Sequence, residues 1–178
     1  MNLEIEKKAK VKNFHEIKKQ LELKYGVGKP IEREDYYLYN NKKQEIRISV
    51  VKYIDSGRED IEITHKKRIE QTSIEVNQEY ILFCDNNFSN ILDFWKSLEF
   101  LPTISKIKKY FDFQTDEFKI ALIYFLEIKN GEENILLPDF YLEVECVLPE
   151  YLAKDKLNDF FLEMNLTEME EKRYIDII

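Results

Sequence analysis

Histidine, cysteine and glycine are all scarce in this chain, and each shortage removes a class of explanation. Two histidines and two cysteines in 178 residues give no set at zinc-ligand spacing, and neither a Ser-His-Asp nor a Cys-His arrangement can be assembled. His15 falls in the expected first turn of a helix, and His65 alternates away from Lys66. Cys84 and Cys146 are far apart and read as reduced thiols of a cytoplasmic protein. The four glycines form no phosphate loop, because Gly26 and Gly28 follow an expected helix instead of opening one. The longest apolar run, Ile120 to Leu126, is far too short to span a bilayer, and no apolar leader precedes the first charges, so no membrane is expected as a partner. Linkers, repeats and low-complexity tracts are absent too, and residues 1–178 read as a single domain.

Charge is what the chain has in abundance. Asp, Glu, Lys and Arg make up 35% of it, with a formal net charge of −8, and hydrophobic residues at 44% exclude disorder. An acidic chain without a basic stripe is not a general nucleic-acid binder. The charges are patterned. In Leu3-Glu4-Ile5-Glu6-Lys7-Lys8, a strand puts Glu4, Glu6 and Lys8 on one face and Ile5 on the other. Paired carboxylates suit a hard cation such as Mg²⁺ or Mn²⁺, and the lysine suits a phosphate bridged by that cation. The alternation recurs in Ile46-Arg47-Ile48-Ser49-Val50, in Ile61-Glu62-Ile63-Thr64-His65-Lys66, in Ile104-Ser105-Lys106-Ile107-Lys108 and in Phe140-Tyr141-Leu142-Glu143-Val144-Glu145. On an open sheet these faces would be wet. In a closed barrel they converge on a lumen holding Glu4, Glu6, Glu143 and Glu145 with Lys8, Arg47, Lys66, Lys106 and Lys108.

The same periodicity and the turn residues between segments predict eight strands, near 2–12, 31–39, 44–54, 58–68, 72–82, 102–113, 117–129 and 134–148. Asn13-Phe14-His15-Glu16 resembles a capping box that opens a helix to about Leu23, and Asn130-Gly131 signals a hairpin. Phe88, Ile91, Leu92, Trp95 and Leu98 stand at helical spacing, and two short helices are expected after Pro149. The fold class expected is α+β: an eight-stranded, mainly antiparallel closed β-barrel, or tunnel, with helices packed outside. Ile5, Ile46, Ile48, Ile63, Ile74, Ile107, Leu142 and Val144 would face those helices. Cations and carboxylates are expected to occupy different parts of the lumen, since buried charge is costly unless paired or hydrated.

Taken in order, Glu4-x-Glu6-x-Lys8, Arg47-x-Ser49, Thr64-x-Lys66, Lys106-x-Lys108 with Tyr110, and Glu143-x-Glu145 resemble the CYTH superfamily, the triphosphate tunnel metalloenzymes. That superfamily includes class IV adenylate cyclases, thiamine triphosphatases and inorganic triphosphatases. The tail Arg173-Tyr174-Ile175-Asp176-Ile177-Ile178 is similar to the ending of cyclase-like members. The match departs from the family at Ser49, where a second arginine is expected, and in Glu70 to Val76, where only Glu75 offers a charge in place of an Arg-x-Glu-x-Glu strand. Lys108 stands for an arginine, and Leu137-Pro138-Asp139-Phe140 lacks the family's glycine.

The resemblance implies a metal-dependent enzyme acting on a small-molecule triphosphate (ATP, tripolyphosphate or thiamine triphosphate), as monomer or homodimer. Glu4, Glu6 and Lys8 would be catalytic. Glu4, Glu6, Glu143 and Glu145 would hold Mg²⁺ or Mn²⁺. Lys8, Arg47, Lys66, Lys106 and Lys108 would grip the phosphates. Chain length and tail tilt the expectation toward a class IV adenylate cyclase, with a triphosphatase or a non-catalytic binding module as alternatives.

Overall fold

A computed structural model describes residues 3–71, 74–84 and 87–176; at positions 68, 70 and 71 it describes the backbone alone. The elements are β1 (Leu3–Val11), α1 (Phe14–Tyr25), β2 (Lys29–Tyr39), β3 (Glu45–Tyr53), β4 (Glu59–Gln71), β5 (Glu75–Cys84), α2 (Phe88–Ser97), β6 (Leu101–Gln114), β7 (Phe118–Asn130), β8 (Glu133–Leu136), β9 (Phe140–Cys146), α3 (Glu150–Glu163) and a 3-10 turn at Tyr174–Asp176. Every strand pairing is antiparallel. The order β6-β2-β3-β4-β5-β1-β9-β7 closes on itself because β7 also pairs with β6. Among the described residues eight strands thus form the expected barrel, with three helices outside, and closure leaves no long edge to aggregate.

The local signals explain where elements start and stop. Asn13 Oδ1 accepts the Glu16 backbone N–H at 3.3 Å, while Asn13 Nδ2 donates to Glu16 Oε2 at 2.9 Å, so both residues of the capping box are engaged. Gly26, at φ +86°, ends α1 with its N–H on Glu22 O at 3.0 Å. Gly131, at φ +61°, turns β7 into β8.

Two expectations about the C-terminal third need correcting. The single strand over 134–148 is two strands, since Pro138 has no N–H to give to a ladder. β8 pairs with residues 127–130 of β7, beyond the stretch 118–123 that holds β9. The two short terminal helices are one helix and a 3-10 turn. Ala153, Leu157, Phe160 and Phe161 bury one continuous helical face of α3. Positions 72–73 of the expected fifth strand, Asn2 of the first and Ile177-Ile178 of the tail lie outside the described residues.

The outward faces make the main cores. Ile5, Leu142, Val144 and Ile74 pack with Ile17 and Leu21 of α1 and with Leu157, Phe160 and Phe161 of α3. Ile46 and Ile48 pack beneath Ile91 of α2, with Phe88, Leu92 and Trp95 around them. Each fully buried side chain of this size contributes about 1.5–3 kcal/mol, so the two cores fix which strand faces look outward. Ile63 and Ile107 are only half-buried. The chain after α3 returns along β1: Lys10 N donates to Glu168 O at 2.8 Å and Glu170 N to Lys8 O at 2.9 Å, on the part of β1 beyond its pairing with β5. This return carries Tyr174 to one end of the barrel. No helix among the described residues is long and apolar enough to cross a membrane.

Candidate functional site

The inward faces enclose a cavity of about 540 Å³, within the usual range of small-molecule sites. Glu4, Glu6, Lys8, Arg47, Lys66, Lys106, Lys108, Glu143 and Glu145 all line it. Register explains the meeting of the two acidic pairs, because β1 and β9 are neighbours that place Glu6 opposite Glu145 and Lys8 opposite Glu143. His65 is exposed on the opposite face of β4, with ring Nδ1 3.1 Å from Glu45 O, and His15 is not among the lining residues.

Cations and carboxylates are not segregated along this lumen; they interdigitate. Lys66 pairs with Glu4 and lies 3.4 Å from Glu6 and 3.6 Å from Glu79. Lys8 donates to Glu75 at 2.5 Å, Lys108 to Glu143 at 2.5 Å and Lys119 to Glu145 at 2.9 Å. In a low-dielectric interior each charge needs a partner within contact distance, and a cation beside each of these carboxylates meets that need better than two separated blocks.

Several lining residues were not anticipated. Arg33 and Asp35 on β2 lie in a run charged at every position from Glu32 to Asp35, so alternation could not assign their faces. Asp35 is 1% exposed, with Lys106 Nζ at 3.0 Å, Ser49 Oγ at 2.7 Å and Arg33 Nε at 2.8 Å. The fifth strand is richer in charge than its first residues suggested. β5 starts at Glu75, and its inward positions include Glu75 and Glu79. The signal was there in Glu75-x-Asn77-x-Glu79, which runs three residues past the end of the segment in which an Arg-x-Glu-x-Glu pattern was sought.

The two ends of the tunnel differ. At one, Arg173 donates to Glu45 at 2.8 Å, and the buried Tyr174 ring meets the Tyr141 ring at 4.8 Å with Lys8 and Lys106 Nζ 5.6 and 5.7 Å from its centroid. The C-terminal turn therefore plugs that end. The other end is ringed by Tyr53, Arg58, Ile81 and Phe83, with Phe83 72% exposed and Arg58 stacked 4.1 Å over Tyr53.

Electrostatics mark the acidic side as strained. Burial, then the neighbouring Glu6, push the Glu4 carboxyl up to about 8 although Lys66 opposes this. Burial would raise Glu6 too, but Lys66 and Lys8 outweigh it and hold Glu6 well below the ordinary range. Lys66 itself is raised, because Glu6 and Glu4 overcome the effect of its burial. Among the described residues no three carboxylates yet converge at ligating distance on one point. The donor set nevertheless fits a hard divalent ion: it is oxygen-only, and like charges at Glu4, Glu6 and Glu79 crowd around a single lysine. Glu79 Oε1 and Arg47 Nε, both buried, make no hydrogen bond among the described residues.

No protein-family model matches the chain, and no curated protein matches it either. Solved structures do. The PH1012 protein from Pyrococcus horikoshii OT3 is 22% identical with a TM-score of 0.76, the match covering 98% of this chain and 99% of that one. A chain of the Schizosaccharomyces pombe Mediator head module is 9% identical with a TM-score of 0.70, covering 92% and 95%. HpAC1 from Hippeastrum, an adenylyl cyclase candidate described as having a dominant triphosphatase activity, is 13% identical with a TM-score of 0.62, covering 98% and 94%. The chain therefore shares the closed-barrel fold of these structures. Identities this low establish the fold, and a fold alone does not fix an activity.

Proposed function

We propose that this protein is a metal-dependent enzyme that holds a triphosphate in its tunnel and hydrolyses the terminal phosphate. The observation that carries the reading is the joining, in one lumen, of an oxygen-only acidic cluster with a wall of lysine and arginine. Polyanions need the second, and divalent ions that bridge phosphates need the first.

Glu4, Glu6, Glu143 and Glu145 would hold magnesium or manganese, which when bound supplies polarisation of the phosphate oxygens. Lys8, Arg47, Lys66, Lys106 and Lys108 would hold the phosphate chain and neutralise charge on the departing group. The present lysine–carboxylate pairs serve this role well. A lysine on a flexible four-carbon stem can leave a carboxylate for a phosphate while its own charge stays compensated throughout. Glu4, Glu6 and Lys8 sit together on β1 at the centre of this exchange and would be the catalytic group. The parallel with HpAC1, which shares the tunnel fold, supports hydrolysis.

A second reading is cyclisation of ATP to cyclic AMP and pyrophosphate. Ile81 and Phe83 at the exposed end of the tunnel favour it, since an apolar rim suits a nucleoside emerging from the phosphate site. The test incubates purified protein with tripolyphosphate and, separately, ATP, with Mg²⁺ or Mn²⁺, and resolves the products chromatographically. Metal-dependent phosphate release from tripolyphosphate is the expected result. Cyclic AMP from ATP would move the assignment to a cyclase, and tight binding of both without product would identify a binding module.

A further inference from the structure

Position 49 is the place where a second arginine is expected beside Arg47, and it holds a serine. That serine is fully buried, and what covers it is another arginine. Arg33 reaches across from β2 and donates from Nη2 to Ser49 Oγ at 2.8 Å. The register permits the reach, since Asp35 pairs with Ser49 and Arg33 with Val51, which makes Arg33 the diagonal neighbour of Ser49 on the inward face. We infer that Arg33 supplies from β2 the phosphate-binding guanidinium that β3 lacks at position 49; the inference rests on the triphosphate reading above and deepens it.

A purely structural ion pair would be the competing account, and the surrounding charges argue against it. Arg33 also contacts Asp35 from Nε at 2.8 Å and Glu62 from Nη2 at 3.0 Å. Asp35, however, already has Lys106 at 3.0 Å and the Ser49 hydroxyl at 2.7 Å. Arg33 is more than Asp35 requires. Arg47 lines the same cavity and feels the charge of both Arg33 and Asp35. Arg33, Arg47 and Lys106 thus line one part of the lumen with Asp35, Glu62 and Glu79 as their partners, a set of cations that a polyanion entering the cavity would meet together. Among the described residues the contacts of Arg33 run through Nε and Nη2, leaving Nη1 uncommitted. The planar fork of a guanidinium can keep its carboxylate on one edge and take a phosphate oxygen on another, which an ammonium cannot do in the same geometry.

The serine is then part of the arrangement. A long side chain at position 49 would have to pass through the space that the Arg33 guanidinium fills, whereas a hydroxyl fits beneath it and fixes it by a hydrogen bond. Arginine at 33 with serine at 49 and arginine at 49 with a small residue at 33 are two ways of putting one guanidinium in one place.

Calorimetric titration with tripolyphosphate tests this on four forms of the protein: wild type, Arg33→Ala, Arg33→Lys, and the exchange of Arg33→Ser with Ser49→Arg. Arg33→Ala should weaken binding on the order of tenfold to a hundredfold, the loss of a charge-assisted contact. Arg33→Lys should fall in between, and the exchange should recover most of the wild-type affinity. A structural role predicts no recovery from an arginine placed on the other strand. If wild type binds and Arg33→Ala binds equally well, the inference is overturned while the triphosphate reading stands. If wild type itself does not bind tripolyphosphate, both fall. Should Arg33→Ala not fold, the other two decide: a folded exchange variant that binds like wild type supports the inference. One that folds but binds no better than on the order of a hundredth of wild type, beside an unaffected Arg33→Lys, defeats it.

Discussion

Asp35 and Lys106 stand directly opposite each other in the β2–β6 ladder, and their 3.0 Å ion pair is almost wholly shielded from water. Lys106, Arg33 and Arg47 hold the Asp35 carboxyl well below its ordinary range, although burial alone would raise it. Asp35→Asn should therefore cost about 3–5 kcal/mol, because it strands buried cations. The sign of the pH dependence follows from a depressed carboxylate pKa. The stabilisation is fully present above the unfolded value near 3.8 and is lost as pH falls through the lower folded value. Denaturant unfolding of wild type and Asp35→Asn from neutral pH downward should show the gap between them narrowing in acid; a gap independent of pH would contradict the assignment.

The acidic pair on β1 should be needed for metal and not for the fold. Glu4→Gln combined with Glu6→Gln removes two like charges from a crowded lumen and leaves Lys66 with Glu79 at 3.6 Å. Metal-dependent turnover should vanish while the thermal melt is retained. Unchanged magnesium or manganese affinity by calorimetry in the double variant would show that these carboxylates are not the ligands.

Arg47 and His65 lie on adjacent strands but on opposite faces, which makes them a matched pair of substitutions. Arg47 lines the cavity with Nε uncommitted, whereas His65 is exposed outside the barrel. Loss of Arg47 should weaken tripolyphosphate binding by about 1.5–3 kcal/mol. Alanine at position 65 should change it by less than about 0.5 kcal/mol, as expected of a surface site. Equal effects would remove the basis for placing the phosphates in the lumen.

Gly28, at the entry to β2, meets the tip of the Phe113 ring. A methyl group there would lie 2.6 Å from Phe113 Cζ, and Phe113 is itself buried in the core shared by α1 and α3. Gly28→Ala should destabilise the protein by about 1–3 kcal/mol through overpacking. Gly28→Ala with Phe113→Leu should recover part of that loss, and an unfolding midpoint equal to wild type in the single variant would show that the ring moves freely.

What the sequence alone determined is what strict alternation can encode. In β1, β3, β6 and β9 apolar residues mark one face and charges the other, so Glu4, Glu6, Lys8, Arg47, Lys106, Lys108, Glu143 and Glu145 were assigned to the lumen before any strand was paired. Closure was legible too, since eight such strands have one economical way to bury their apolar faces and lose their edges. Other features were decided only by the tertiary structure. Arg33 lies in a segment charged on both faces, and Glu79 in a strand whose outer face carries Tyr80 and Leu82 while its inner face carries Ile81 and Phe83, so neither strand has a period to read. Which lysine meets which carboxylate depends on register between strands far apart in sequence, as with Lys8 and Glu75, 67 residues apart. The plug formed by Tyr174 depends on a chain return over β1 that no local pattern announces. Periodicity fixes the direction of a side chain relative to its own strand. Its partner is fixed by the neighbouring strand, and that is chosen by the packing of the whole barrel.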